Sequence, residues 1–409
     1  MGMQIVKSEA RRFLTMGRIA ILLTGVVLPV ATLAQPDFVR DGEAGFVVTY
    51  IAYALSRDAE ETGACPSGMN QSYQDPREVY ANLPPIEKQV GEGYEELERR
   101  VRDIAGRAPE VKSHCLYPEL ASPDPDYRTV GGDDVPVFGI DMDGRDSTLA
   151  QPAAPGSCPH EDLPGINGQV GIDNQYFRVM GCNPGYQSTG QGNMFNTAML
   201  TGSWGMLIKL NGVDDLQNDE EVEVSIYANG DPIRLSPARE PLAYATYTVH
   251  RESRFYAGAT RGRIVDGVLR TEPVDVRIPY DVNAMFVDRV LLDAQLQVAL
   301  DDLDVDNKIE GYLAGYAPIE EQYDLEIGFR DARVGTEENS EPSPFRRMVG
   351  AGIGKAGAMG YTCEGVYYAY YEHADGHPDP ETGKCTSIST QYRIEAMPAF
   401  IVETGSAQD

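Results

Sequence analysis

Between Trp204 and Ala314 apolar and polar residues alternate with a period of two, and no segment in between carries a helical pattern. Successive side chains on a strand point to opposite faces, so such a run marks strands with one buried face. Seven segments read this way: Trp204–Leu210, Glu221–Ala228, Ala243–His250, Arg263–Arg270, Val274–Tyr280, Arg289–Leu300 and Ile309–Ala314. Turn residues divide them, including Ala228-Asn229-Gly230-Asp231 and a two-residue hairpin turn in Val265-Asp266-Gly267-Val268. Consecutive strands without crossover helices predict an antiparallel β-sandwich or jelly roll, and the chain as a whole is read as α+β, mainly β.

The flanks read differently. Phe38–Ser56 is mixed apolar and is read as a helix, with a strand as the second reading. In Ile86–Ile104 the apolar residues recur every three to four positions, which predicts a charged helix. Phe345–Ala374 reads as one or two helices, small-residue-rich first and Tyr-rich after, and Thr390–Val402 as a final extended segment. The expected organisation is a helical, disulfide-bearing region at 35–135, a β-sandwich domain at 136–334 and a helical and extended region at 335–409.

The first 34 residues are read as an export signal. Lys7, Arg11, Arg12 and Arg18 precede the apolar run Ile19–Val30, and Thr32-Leu33-Ala34 offers small residues for cleavage before Gln35. That run is shorter than the roughly 20 residues a membrane span needs. No other segment is long and apolar enough, so no integral membrane segment is expected after cleavage, and the protein is placed in the periplasm or outside the cell. The chain has 34 basic and 63 acidic side chains, a net charge of −29, and loss of the leader makes it −32. So acidic a chain lacks the basic face that nucleic acid or an anionic membrane requires.

Six cysteines, Cys65, Cys115, Cys158, Cys182, Cys363 and Cys385, read as three disulfides in an oxidising compartment. Fifteen pairings are open. The simplest is sequential: Cys65–Cys115, Cys158–Cys182 and Cys363–Cys385. The absence of C-x-x-C argues against thioredoxin-type chemistry, zinc ribbons and c-type haem attachment.

Two acidic loops are candidate calcium sites, because calcium takes clustered hard oxygen donors. One carries Asp141, Asp143 and Asp146 around Gly144; the other carries Asp302, Asp304 and Asp306, spaced like the first half of an EF-hand loop but with Leu313 where its glutamate belongs. Solvated acidic turns are the plainer reading of both. His373 and His377 have a metal-like spacing, but Ala374 stands where a zinc hydrolase has glutamate, and Gly376 and Pro378 break the helix. His160-Glu161-Asp162 beside Cys158 reads as an acid/base cluster or, more simply, a polar loop pinned by a disulfide.

Gly352-Ile353-Gly354-Lys355-Ala356-Gly357 matches a dinucleotide fingerprint without the preceding strand, and Gly202-Ser203-Trp204-Gly205 lacks the first glycine of a nucleophile elbow. Tyr361, Tyr367, Tyr368, Tyr370 and Tyr371 crowd one segment, as a packing helix or as a stacking surface for sugar or peptide. Gly171-Ile172-Asp173-Asn174-Gln175 is read as a buried polar turn bracing the core. The expected function is a non-catalytic binding or structural protein of the cell envelope, calcium-stabilised, recognising a glycan or a protein partner. The alternative is a secreted hydrolase of the glycosidase type with paired carboxylates on the sheet.

Overall fold

The computed structural model describes residues 38–55, 63–71, 118–131, 135–147, 149, 156–166, 168–187, 196–202, 204–255, 258–282, 285–300, 303, 307–327 and 359–403. The export signal, the helix expected at 86–104, the second acidic loop with Asp302, Asp304 and Asp306, and the glycine motif at 352–357 lie outside them.

Eleven strands join in one connected sheet. They are β1 (Ala44–Tyr53), β2 (Met206–Asn211), β3 (Asp219–Ala228), β4 (Ala245–Thr248), β5 (Thr260–Val265), β6 (Val268–Thr271), β7 (Val274–Val282), β8 (Met285–Ala299), β9 (Ile309–Pro318), β10 (Gly376–Pro378) and β11 (Cys385–Val402). The mainly-β α+β class agrees with the alternation in the sequence. Each of the seven expected segments falls on strand, and Arg263–Arg270 spans the β5–β6 hairpin, which turns at Asp266-Gly267.

The pairings run in a ring. β1 pairs β2, then β3, β5, β6, β8, β9 and β11 follow in order, and β11 pairs back onto β1. All eight contacts of this ring are antiparallel. The sheet therefore closes as a barrel, which leaves no ring strand with an unpaired edge along its bonded length. β7 pairs β8, β10 pairs the start of β11, and β4 runs parallel to the end of β11.

Phe38–Ser56, read first as a helix, contains β1. The reason lies in its burial: Phe46, Val48, Ile51 and Tyr53 pack in the main core, while Val47 packs on the other face with Leu207 and Tyr227. A strand buried on both faces shows a continuous apolar run instead of alternation, which periodicity alone does not separate from a helix.

The barrel interior is apolar, filled from Ile208, Leu210, Val224, Ile264, Leu296, Leu313, Ile394 and their neighbours. Several outward positions are charged and exposed, such as Glu221, Glu223, Arg261 and Arg263. Four helices are described: α1 (Gln175–Met180), α2 (Asn196–Thr201), α3 (Ile319–Ile327) and α4 (Cys363–Glu372). Tyr176 of α1 stacks on Tyr53, which stacks in turn on Tyr392 of β11, so this helix packs onto the main core of the barrel.

The Tyr-rich segment is a packing helix. Tyr361 and Tyr370 are fully buried, the hydroxyls of Tyr367 and Tyr371 donate to Glu320, and that of Tyr368 donates to the Ala121 carbonyl. Trp204 is buried in the core.

The sequential disulfide scheme is replaced. Cys65 pairs with Cys182 (Cα–Cα 5.7 Å) and Cys158 with Cys385 (6.5 Å). Cys363 is also disulfide-bonded, and Cys115 lies outside the described residues. Sequence proximity misleads here because loop-closure entropy rises only slowly with loop length. The closed ring places the last strand beside segments more than 200 residues earlier. No helix of the described residues is long and apolar enough to cross a membrane.

Candidate functional site

In β11, Ile388, Thr390, Tyr392 and Ile394 alternate with Ser387, Ser389, Gln391 and Arg393. Ile388, Tyr392 and Ile394 face the barrel core, so the pleat turns Ser387, Ser389 and Gln391 outward. All three are nevertheless fully buried. They are covered by residues 135–147 and 156–175, which the Cys158–Cys385 disulfide ties to the start of β11.

The Gln391 amide fastens this cover in both directions. Its Oε1 accepts from the Ile140 N–H at 2.7 Å, and its Nε2 donates to the carbonyls of Ile140 and Asp173. Gln295 Nε2 of β8 donates to the Met142 carbonyl. Gly171 lets the cover fold back on itself: its φ is +75°, and a Cβ there would stand 2.4 Å from the Arg145 carbonyl oxygen.

The turn 171–175 braces the core as its sequence suggested. Asn174 caps α1 by accepting from the Phe177 N–H and donates to the Ala54 carbonyl at the end of β1. Gln175 Nε2 donates to the Glu161 carbonyl and its Oε1 accepts from Arg178.

Beneath the cover lies a charged cluster. His160 Nδ1 donates to the Cys158 carbonyl at 2.7 Å, and Nε2 lies 2.7 Å from Asp173 Oδ1 and 3.1 Å from Asp162 Oδ1. Both ring nitrogens face only acceptors, so the ring is an imidazolium. Burial by itself lowers its pKa, but the hydrogen bonds to Asp162 and Asp173, with Asp375 nearby, push it up to about 11. The other oxygen of fully buried Asp173 accepts from the N–H groups of Met142 and Asp143.

Carboxylates outnumber this one cation. Burial, with Asp173 close, pushes Asp141 up to about 6 against hydrogen bonds from Gly144 and Arg145. Burial and the Asp173 charge likewise raise Asp143. Asp375 is fully buried between α4 and β10, and desolvation pushes it up to about 7 even though His160 and Ser389 pull it down. Its Oδ1 accepts from the Ser389 N–H, while its Oδ2 and the Oδ1 of Asp143 are buried with no hydrogen-bond partner among the described residues. Ligand atoms of Asp143, His160 and Asp173 all lie within 4.8 Å of one another.

The structure thus draws Asp141 and Asp143 of the first acidic loop to Asp173, and not Asp146, whose carbonyl receives the Leu149 N–H. His160 and Asp162 join the cluster while Glu161 is exposed. Asp173 and Asp375 carried no signal of their own as charged-site residues; only their neighbours in space make them so.

His373 and His377 do not share a site. His373 ends α4, whereas His377 Nδ1 bonds Ser387 Oγ at 2.7 Å and its Nε2 lies 3.1 Å from Asp293 Oδ2. This Ser-His-Asp chain has the order of a nucleophilic triad, and His377 and Asp293 both hold positive φ. Ser387, however, is fully buried and the carboxylate is the exposed end, the reverse of what an attacking hydroxyl needs.

Where the cover meets the barrel wall lies a cleft of about 380 Å³. Asp141, Gln169, Arg270, Thr271, Gln295 and Gln297 supply its polar lining, with Ile140, Val170, Ile172 and Leu296 as its apolar part. Arg270 Nε donates to Gln297 Oε1 at 2.9 Å, which orients both planar groups. Compared with known families, curated proteins and solved structures, the chain shows no significant match to any.

Proposed function

We propose that this chain is an exported, non-catalytic binding module of the cell envelope that recognises a glycan in the cleft beside Asp141 and Arg270, with a calcium-stabilised cover. The observation that carries the reading is the lining of that cleft. A carboxylate, a guanidinium and three amides around a small apolar patch match a ligand rich in hydroxyl groups, which needs donors and acceptors in planar arrays. Disulfide bonds fit an oxidising compartment, in line with the leader read from the sequence.

The hydrolase alternative finds little to work with in the charged cluster. Asp173 has both oxygens engaged and no exposure, and His160 has both nitrogens occupied, so neither is placed to act on a substrate.

A glycan array with the full chain tests the reading. Binding of at least one glycan class, lost in Arg270→Ala and in Gln297→Ala, is the expected result. Binding unchanged by both substitutions, or none at all, removes the cleft as the recognition site. A melting scan with calcium and with EDTA tests the cover, and an unshifted midpoint in both removes calcium.

A further inference from the structure

We propose that Asp143, His160 and Asp173, with the buried carboxylate of Asp375 near them, form a site for one divalent transition ion of the zinc type within the cover. The inference goes beyond the reading above: it stands independently of the glycan cleft and gives the cover a zinc-type ion in place of calcium.

The three donors already stand together, with ligand atoms within 4.8 Å of one another. Ligand atoms around a tetrahedral zinc ion are about 3.4 Å apart, so small side-chain rotations close the set. A further carboxylate is marked independently: Asp375 is fully buried, and its Oδ2 has no hydrogen-bond partner among the described residues. Its electrostatic neighbours are His160 and Asp173 themselves. The buried, unpartnered Oδ1 of Asp143 adds a second oxygen in want of a cation.

The surroundings fit a bound metal. A ligating histidine normally gives its second N–H to a carbonyl or carboxylate, and His160 Nδ1 donates to the Cys158 carbonyl. Asp173 is held in the same way, since the Met142 and Asp143 N–H groups occupy Oδ2 and leave Oδ1 facing the imidazole. In the metal-free form a proton on Nε2 takes the ion's place. Calcium takes oxygen ligands, whereas an imidazole nitrogen among carboxylates suits zinc and its neighbours in the first transition row. Asp143 and His160 retain some exposure, which gives the ion a way in.

The experiment uses the full chain stripped with EDTA and dialysed, then titrated calorimetrically with zinc chloride and with calcium chloride. One zinc per chain is expected, confirmed by elemental analysis. His160→Gln and Asp143→Asn each remove a ligand and weaken zinc binding by at least the roughly tenfold to hundredfold that loss of an outer-shell partner costs. His377→Gln leaves it unchanged. Asp143 retains some exposure and D143N preserves its shape, so the far-ultraviolet circular dichroism of the variant is expected to match that of the unsubstituted chain. In that variant, loss of the visible absorption of bound cobalt reports ligation separately from stability. Zinc held with unchanged affinity by both D143N and H160Q overturns the site. Calcium taken up without zinc overturns this inference and leaves the calcium reading standing; uptake of neither defeats both.

Discussion

His160 is the hinge of the charged cluster, and its removal is the sharpest test at the residue scale. Taking away one partner of a buried ion pair leaves an uncompensated charge, here on fully buried Asp173. His160→Gln is therefore expected to destabilise the metal-free protein by about 3–5 kcal/mol, measured by urea denaturation. The pH dependence has a defined sign. The His160 pKa is raised to about 11, so its contribution is complete below the unfolded value near 6.5 and is lost as pH rises toward 11. Asp141 and Asp375 are raised to about 6 and about 7, so the folded state holds protons there that the unfolded state has released. Their contribution falls from about pH 4 to about pH 7. All three act in one direction: with EDTA present, the urea midpoint should be lower at about pH 9 than at about pH 6, with a shallower decline in H160Q. A midpoint that rises over this range contradicts the assignment. Asp375→Asn removes a buried charge whose Oδ2 has no hydrogen-bond partner among the described residues, and should raise the metal-free melting temperature at about pH 8 by about 2 °C while weakening zinc binding.

At the scale of elements, the barrel strands and the cover depend on one another through Gln391. Its amide closes three hydrogen bonds to the cover from the outer face of β11. Gln391→Leu leaves the buried Ile140 N–H without its acceptor, a loss of about 1–3 kcal/mol for that group alone. Hydrogen exchange should then quicken across 137–147, with the β2–β3 pairing still protected; equal protection in both regions would show that the cover does not hang on this side chain. Much of the element layout was legible beforehand. Residues such as Val222, Val224 and Ile226 alternate with exposed or polar neighbours, and each expected segment between Trp204 and Ala314 falls on strand. β1 escaped because Val47 and Val48 are both buried, so the pattern that marks a half-exposed strand is missing. The cover escaped because its order comes from side-chain bonds and a disulfide, which have no periodicity to read.

At the scale of the whole molecule, the ring decides what folds as a unit. Its eight strands come from all three stretches into which composition divides the chain, with β1 before the stretch 136–334, expected from its sequence to be a sandwich, and β11 after it. A fragment limited to 136–334 lacks both, and is expected to show neither cooperative unfolding nor dispersed amide signals, in contrast to the full chain. A cooperatively folding fragment would mean that the ring is not needed. Loss of Cys158–Cys385 should cost about 2–5 kcal/mol, since it joins the cover to the last strand; non-reducing peptide mapping checks the pairing directly.

Local chemistry was enough to determine the class of this protein. Strand periodicity, hairpin turns, an even set of cysteines and the bracing turn at 171–175 depend on residues close in the chain, where steric and hydrogen-bonding preferences act without knowledge of the fold. Ring closure, the cysteine partners and the charged cluster depend on contacts between distant positions, such as Thr49 with Glu395, 346 apart, and Ile140 with Gln391, 251 apart. Those contacts arise when burial of apolar surface brings distant segments together, and burial then gives Asp173, Asp375 and His160 properties that their sequence neighbours do not confer.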